Sequence, residues 1–214
     1  MQRGKFITFE GSEGCGKSTQ IKRFVESLES RGLDVIRTRE PGGTKVGEKI
    51  RTILQFDPEA ADLTDESELL LFAASRAQLV RRVIEPALES GSWVVADRFS
   101  DSTVVYQGVG RGLSLEAVKA INAFAVGKTL PDLTILLDLD VRIGHARAVA
   151  ASEGKRDRME DQPMDFFDLV RQGYLQLAEA EPDRFAVIDA SKSLDEVTEQ
   201  ITASFQERLG GVSS

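Results

Sequence analysis

Residues 11–18 read Gly-Ser-Glu-Gly-Cys-Gly-Lys-Ser, and no other stretch constrains this chain so tightly. They satisfy the pattern G-x-x-x-x-G-K-[ST], in which every fixed position has a physical reason. Glycines Gly11, Gly14 and Gly16 let the backbone turn sharply and aim successive N–H groups at an anion without a Cβ in the way. Lys17 sets a point charge where the β- and γ-phosphates of a nucleotide would lie, and the Ser18 hydroxyl can hold Mg²⁺. A helix starting there adds the positive end of its dipole. The flanks agree with that reading. The apolar run Phe6–Phe9, ended by Glu10 and Gly11, reads as a strand, and Ile21, Val25 and Leu28 recur at helical spacing after the loop. Gly11–Ser18, with Ser12, Glu13 and Cys15 at its variable positions, is therefore a candidate ATP-phosphate cradle. Cys15 reads as a small filler, since no histidine that could activate it is near in sequence.

The rest of the chain repeats this alternation. Short apolar runs at Phe6–Glu10, Val35–Thr38, Trp93–Asp97, Leu133–Leu139 and Phe185–Asp189 read as strands separated by helical patterns. Such an order predicts an α/β fold of P-loop NTPase type, a parallel five-stranded sheet with helices on both faces and a short lid. The run Thr134-Ile-Leu-Leu-Asp-Leu is apolar without alternation, as for a strand buried on both sides. Leu194, Val197, Ile201 and Phe205 mark a last helix, and Thr64 is a candidate N-cap for a long helix running towards Leu88. The 214 residues fit one domain, 1–214, with a fraying tail at 210–214.

Composition narrows the partners. The formal charge of −8 makes a polyanion such as nucleic acid a poor partner, although a small basic cleft could still take a few phosphates. No apolar run is long enough to cross a bilayer. The N-terminal Met-Gln-Arg-Gly-Lys is followed by too short an apolar stretch for a signal peptide, and a single cysteine forbids an intramolecular disulfide. A cytoplasmic location is the expectation.

Residues 152–162, Ser-Glu-Gly-Lys-Arg-Asp-Arg-Met-Glu-Asp-Gln, break the pattern with charge and almost no apolar groups. They are either a solvated connector or a lid that carries cations over a bound nucleotide. Pro163 can open the next helix at its first position.

Among P-loop classes, a signalling GTPase should show Asn-Lys-x-Asp and Asp-x-x-Gly, and a transporter ATPase a Leu-Ser-Gly-Gly-Gln-type signature; none occurs here. The remaining class passes the γ-phosphoryl group to a second bound molecule and needs a second anion site built from arginines. Candidates are Arg39 in Thr38-Arg-Glu-Pro-Gly-Gly-Thr44, Arg51, Arg76 in Phe72-Ala-Ala-Ser-Arg76, and Arg98 in Asp97-Arg98-Phe99. Asp97-Arg98 closes a strand, at the sheet edge where open α/β sheets present ligands. Taken alone, Asp97-Arg98 could be a structural ion pair, Phe72 a core residue, and Arg51 or Arg76 a solvated helix residue.

The strings Glu-Gly-x-Glu-Gly-x-Gly-Lys-Ser-Thr, Thr-Arg-Glu-Pro-Gly-Gly-Thr, Asp-Arg-Phe-x-x-Ser and Tyr-Gln-Gly, in this order from Phe6 to about Ser193, resemble the thymidylate kinase family. The resemblance implies ATP- and Mg²⁺-dependent phosphorylation of dTMP and a homodimer joined through the long helices. It implies that Glu13 sits between the two nucleotides and that Arg98 grips the dTMP phosphate, with Arg39 and Arg51 as further candidates. Asp97 would orient the arginine and organise water or metal, beside Ser102. Phe72 would stack on thymine, while Arg76 and Gln107 would bond its polar edge. Tyr106 would lie beneath the deoxyribose or simply pack in the core. The likeness is to members that carry catalytic arginines in the lid, and Arg158 is the best match for one that reaches the transferring phosphoryl; Lys155 and Arg156 are the lid's other cations. This chain departs from the pattern in keeping only Arg147 on the preceding helix turn, followed by Val149, Ala150 and Ala151. Ala190–Ser193 are candidates for lining the adenine. Two rivals remain: a kinase of the same fold for another monophosphate, and a P-loop regulator that binds nucleotide without transferring phosphate.

Overall fold

The five apolar runs form strands β1 (Phe6–Glu10), β2 (Val35–Arg39), β3 (Trp93–Asp97), β4 (Leu133–Asp138) and β5 (Phe185–Asp189) in a computed structural model that describes residues 3–151, 158–159 and 162–210. Their observed bounds differ from the sequence reading by one residue at β2 and β4. All four pairings are parallel, in the order β2-β3-β1-β4-β5. The chain lays β2 at one edge, returns inward with β3 beside β1, and then crosses to the other side of β1 with β4 and β5. The loop after β1 therefore opens at the point where strand order reverses, where α/β sheets leave a crevice for ligands.

The helices are α1 (Lys17–Glu29), α2 (Lys45–Phe56), α3 (Asp65–Leu79), α4 (Glu85–Glu89), α5 (Ser100–Thr103), α6 (Leu115–Val126), α7 (Val141–Ala151), α8 (Met164–Ala180) and α9 (Leu194–Leu209). On one face of the sheet, Phe24 and Leu28 of α1 and Ile201 and Phe205 of α9 bury Ile7, Phe9 and Ile135. On the other, Leu79, Ile84 and Leu88 cover Phe6, Val94 and Ala96, while Phe166, Val170 and Tyr174 of α8 cover Leu136 and Phe185. Each such fully buried side chain contributes about 1.5–3 kcal/mol from apolar surface removed from water.

The helix expected from Thr64 towards Leu88 starts as expected, with Thr64 Oγ1 accepting from Ser67 N at 3.3 Å. It does not continue as a plain α-helix. Between α3 and α4 a π-type turn spans Val80–Ile84, and Glu85 N donates to Val80 O, five residues back. Pro86 explains the shift, since it has no N–H to offer the carbonyl four residues earlier and its ring crowds that position. Pro163 likewise stands one position earlier than expected. It is extended, with φ −64° and ψ 156°, and α8 begins at Met164.

Because β1 and β3 are parallel neighbours with Phe9 opposite Asp97, the loop after β1 and the residues after β3 emerge side by side. The phosphate loop is pinned from outside by α7. A Cβ on Gly14 would lie 2.0 Å from Gly144 O, and one on Gly144 would lie 2.4 Å from Glu13 O. At both positions only glycine allows the two backbones to approach this closely. The loop ends at Gly16, whose φ of 93° is open to glycine at little cost, and α1 starts from it.

Candidate active site

A cleft of about 510 Å³ opens at the carboxyl edge of the sheet. It gathers side chains that the sequence keeps far apart: Glu13, Lys17 and Ser18 after β1, Arg39 and Arg51 around α2, and Phe72 on α3. Asp97, Arg98, Ser102, Tyr106 and Gln107 after β3 complete it. Gly14 and Gly16 line it too. Gly11, Ser12 and Cys15 stand behind. Lys17 Nζ donates to Gly11 O at 3.0 Å and Ser12 O at 2.9 Å, with Cys15 Sγ at 3.6 Å. The ammonium is thus held over the loop. Cys15 is 3% exposed and packs in the core under α1, which suits a filler.

Arg98 is the centre of the arrangement. Among the described residues it is the one non-glycine with positive φ, 68°, and its N–H donates to Phe9 O at 3.0 Å. A left-handed residue at a strand end turns its side chain across the neighbouring strand, at some cost in backbone strain. The guanidinium lies 4.9 Å from the Tyr106 ring centroid and donates through Nη2 to Glu13 Oε1. Through Nη1 it donates to Tyr174 Oη at 3.2 Å and Ser102 Oγ at 3.4 Å. Burial alone would raise the Glu13 carboxyl, but the charges of Arg98 and Lys17 and the Tyr106 hydroxyl hold it below its ordinary value. Tyr106 Oη donates to the same Glu13 oxygen at 3.3 Å. Burial pushes the phenol's own pKa up, so it stays neutral.

Beneath Arg98 lies a second acid. Glu10 is fully buried and accepts from Phe99 N at 2.8 Å, Ser102 Oγ at 2.6 Å and Tyr174 Oη at 2.8 Å. Burial and the nearby Asp101 charge push its carboxyl up to about 7, against the opposing pull of Arg98 and these hydrogen bonds.

The side of the cleft around Phe72 has a polar back wall. Phe72 faces the cleft, whereas Arg76, one turn on, is 1% exposed and does not line it. Its Nε donates to Glu40 Oε2 at 2.8 Å, its Nη1 to Asn122 Oδ1 at 2.8 Å, and its Nη2 to Glu40 Oε2 and to Phe99 O at 3.2 Å. Four of five guanidinium hydrogens are thus used, leaving one on Nη1. Gln107 lines the cleft and donates through Nε2 to Glu68 Oε1 at 2.9 Å. Of the other arginines lining the cleft, Arg39 pairs with Glu48 at 2.8 Å, and Arg51 donates to Pro41 O at 3.2 Å.

Lys155 and Arg156 lie outside the described residues. Arg158 does not line the cleft; it turns to α3 and α2, donating to Glu68 and, through Nε, to Leu54 O at 3.2 Å. Met159, beside it, is buried against Tyr106 and Phe166. Ala190–Ser193 do not line the cleft either, although Arg147, which does, donates to Ala190 O at 3.4 Å.

Sequence reasoning missed Glu10, Glu40, Glu68 and Tyr174. Glu10 had a signal, an acid ending a wholly buried strand. Glu40 lay inside a recognised string, but its partner Arg76 is far along the chain. Glu68 and Tyr174 look like ordinary helix residues until the tertiary structure buries them.

The raised Glu10 pKa sets a pH dependence. Between its ordinary 4.5 and about 7, the folded chain keeps a proton that the unfolded chain has lost. Unfolding then releases a proton, so this group's contribution to stability falls as pH rises through that window and is flat above it. Glu10→Gln should abolish that slope. Relative to wild type, the variant should gain about 1 kcal/mol per pH unit across the window, measured by urea unfolding from pH 4.5 to 8. Parallel pH profiles for the two proteins would contradict the buried, protonated Glu10.

The likeness to known proteins extends over nearly the whole chain. A family model described as thymidylate kinase matches residues 9–201. The thymidylate kinase of Deinococcus radiodurans is 49% identical over 208 residues, covering 97% of this chain and 99% of that one. That of Desulfosudis oleivorans is 50% identical over 206 residues, covering 94% and 96%, and that of Pelobacter propionicus 47% identical over 215 residues, covering 98% of each. With the phosphate loop and a cluster of arginines meeting in one cleft, and with relatives at this identity matched end to end, the chain belongs to the thymidylate kinase family.

Proposed function

We propose that the chain transfers the γ-phosphoryl group of ATP to the phosphate of dTMP, giving dTDP and ADP. The observation that carries this reading is the Arg98–Glu13 contact, which joins the phosphate loop to a second anion site inside the same cleft. A regulator that only bound nucleotide would have no use for that second site.

In the reaction the bond from Pγ to the β–γ bridging oxygen breaks, and one from Pγ to a dTMP phosphate oxygen forms. That oxygen already carries negative charge at neutral pH, since a phosphate monoester's second pKa is near 6. No general base is needed, and the work is alignment and charge neutralisation. The loop amides and Lys17 hold the β- and γ-phosphates. Arg98 takes the acceptor phosphate, with Arg39 and Arg51 at the same end of the cleft. Phe72 gives the base a flat apolar partner, Gln107 meets its polar edge, Arg76 braces the wall behind them without lining the cleft, and Tyr106 lies under the sugar. Arg158 reaches the transferring phosphoryl only after leaving Glu68, and a cation arriving late favours the transition state over the ground state.

The donor set suits Mg²⁺. Among the described residues no group of three or more His, Cys, Asp or Glu gathers to hold a metal, yet Ser18 and Asp97 line the cleft. One hydroxyl and one carboxylate match a hard cation carried mainly by phosphate oxygens and water. Ser18 would hold it, and Asp97 would order its water. Such an ion supplies charge neutralisation on the phosphates.

We further infer a cytoplasmic homodimer of a single kinase domain, with ATP and dTMP as small-molecule partners; the charge of −8 disfavours nucleic acid. Among the described residues no helix is long and apolar enough to cross a membrane. Supporting the dimer, α2, α3 and α6 pack side by side and leave Val46, Ile53, Leu70 and Phe124 exposed, Phe124 at 88%. Exposed large apolar groups on neighbouring helices suit an association surface.

Two measurements test these readings. In a coupled ADP-release assay over a panel of monophosphates, dTMP should be the preferred acceptor, and Arg98→Ala should lower kcat/KM for dTMP by about 10²–10³-fold. Slow hydrolysis of ATP independent of any monophosphate would contradict phosphoryl transfer. By sedimentation, the wild type should run at twice the chain mass and Phe124→Glu at one chain mass; a wild-type monomer at micromolar concentration would contradict the dimer.

A further inference from the structure

Glu68 is a buried carboxylate on α3, one turn before Phe72, with a side chain 1% exposed. It has no contact with the phosphate loop or Arg98, and three side chains, Arg158 among them, converge on it. Oε1 accepts from Gln107 Nε2 at 2.9 Å and Arg111 Nε at 3.4 Å. Oε2 accepts from Arg111 Nη2 at 3.3 Å and from Arg158. Burial would raise its pKa, but the hydrogen bonds from Gln107 and Arg158 and the charges of both arginines hold it below its ordinary value. An ionised carboxylate can only accept.

That restriction decides which way the Gln107 amide points. The atom facing Glu68 must be the nitrogen, so Oε1 is the end left for the cleft, and among the described residues no donor reaches it. A carbonyl oxygen presented to a pyrimidine edge accepts from a donor. Thymine's edge has one ring donor, N3–H, between two carbonyl acceptors, whereas cytosine offers a bare acceptor at N3. We propose that Glu68 is a positioning residue for base selection: it fixes the Gln107 amide so that Oε1 meets N3–H, and the site thereby selects pyrimidines that carry that hydrogen. The inference rests on the reading that Gln107 meets the base edge. It adds that a carboxylate outside the cleft dictates what Gln107 reads. A buried acceptor facing another acceptor is penalised more than a missing bond would be, which is what makes the orientation selective.

The test compares dTMP with 5-methyl-dCMP, which keeps the methyl group, replaces N3–H by an acceptor and carries an amino group in place of the C4 carbonyl. Glu68→Gln is close in shape, but its amide can donate or accept, so the Gln107 orientation is no longer dictated. The ratio of kcat/KM for dTMP over 5-methyl-dCMP should fall by roughly tenfold or more, with KM for ATP within about twofold of wild type. Loss of the Arg158 contact would act on transfer to both nucleotides and cancels in that ratio, and any discrimination at C4 by Arg76, whose partners are Glu40, Asn122 and Phe99 and not Glu68, is the same in wild type and variant. An unchanged ratio, even with both rates lowered, overturns the proposal, because a merely structural carboxylate would act equally on both nucleotides. Gln107→Leu separates the two layers: if its ratio falls while that of Glu68→Gln does not, only the positioning role fails. If neither falls, the assignment of Gln107 to the base fails. Should Glu68→Gln not fold, the wild-type Gln107 side-chain amide decides by NMR, its resonance identified by loss in Gln107→Leu. One hydrogen should stay shifted downfield with and without dTMP, and a solvent-like shift in either state overturns the inference.

Discussion

Arg98 ties the sheet to its chemistry. Parallel pairing sets Phe9 of β1 opposite Asp97 of β3, so the next residue on each chain enters the same small space. Arg98 turns there into a left-handed conformation, its N–H closing onto β1 and its guanidinium crossing to Glu13 in the phosphate loop. Without that contact, the donor loop and the residues after β3 would be two unrelated features at one sheet edge. With it, the position of Arg98 constrains that of the loop, which is what transfer between two bound phosphates would require of the two sites proposed above. The strain of a non-glycine at φ 68° is offset by partners on every side: Tyr106 beneath the ring plane, and Tyr174, Ser102 and Glu13 at the nitrogens.

Around this one cation, burial and charge sort the carboxylates into different states. Glu13 lies between Arg98 and Lys17 and is driven towards the anion. Glu10, one strand position from the loop, has no direct ion pair and is pushed up to about 7, where it serves as a buried hub for Phe99, Ser102 and Tyr174. Glu40 meets Arg76 head on, yet full burial still outweighs that partner and raises its pKa. Glu68 is surrounded by three donors and stays ionised. Four acids of one residue type are thus shifted in different directions because their burial and their donors differ. The consequence for function is geometric. Each acid fixes one cleft residue or its neighbour: Glu13 fixes Arg98, Glu10 fixes Ser102, Glu40 fixes Arg76, and Glu68 fixes Gln107.

Much of this was legible in the sequence because the signals are local. The strands announce themselves as five short apolar runs, and the phosphate loop as a spacing that only strand-loop-helix geometry satisfies. Phe72, Arg98, Tyr106 and Gln107 stand in strings whose order along the chain matches their convergence in the cleft. What escaped depends on distance. Gln55–Leu63 gave no reading, and it proves to hold the end of α2, whose Leu54 and Gln55 carbonyls receive Arg158. Backbone carbonyls carry no side-chain signature, so the docking of Arg158 could not be foreseen. Glu68 stands in the first turns of α3 like any solvated helix acid, and only the segment after α5, Val104–Gly110, brings Gln107 onto it. The π-type turn before Pro86 was within reach of sequence, since a proline inside a helical pattern must disturb the ladder somewhere.

The claim that the two phosphate sites act through one buried contact is tested most directly by a double-mutant cycle on Glu13 and Arg98. Glu13→Gln, Arg98→Lys and the double variant are compared with wild type by kcat/KM for dTMP at saturating ATP. The account predicts that the two losses overlap, with a coupling energy above about 1 kcal/mol. Losses that add to within about 0.5 kcal/mol would mean that the loop and the acceptor site act independently, and would contradict it.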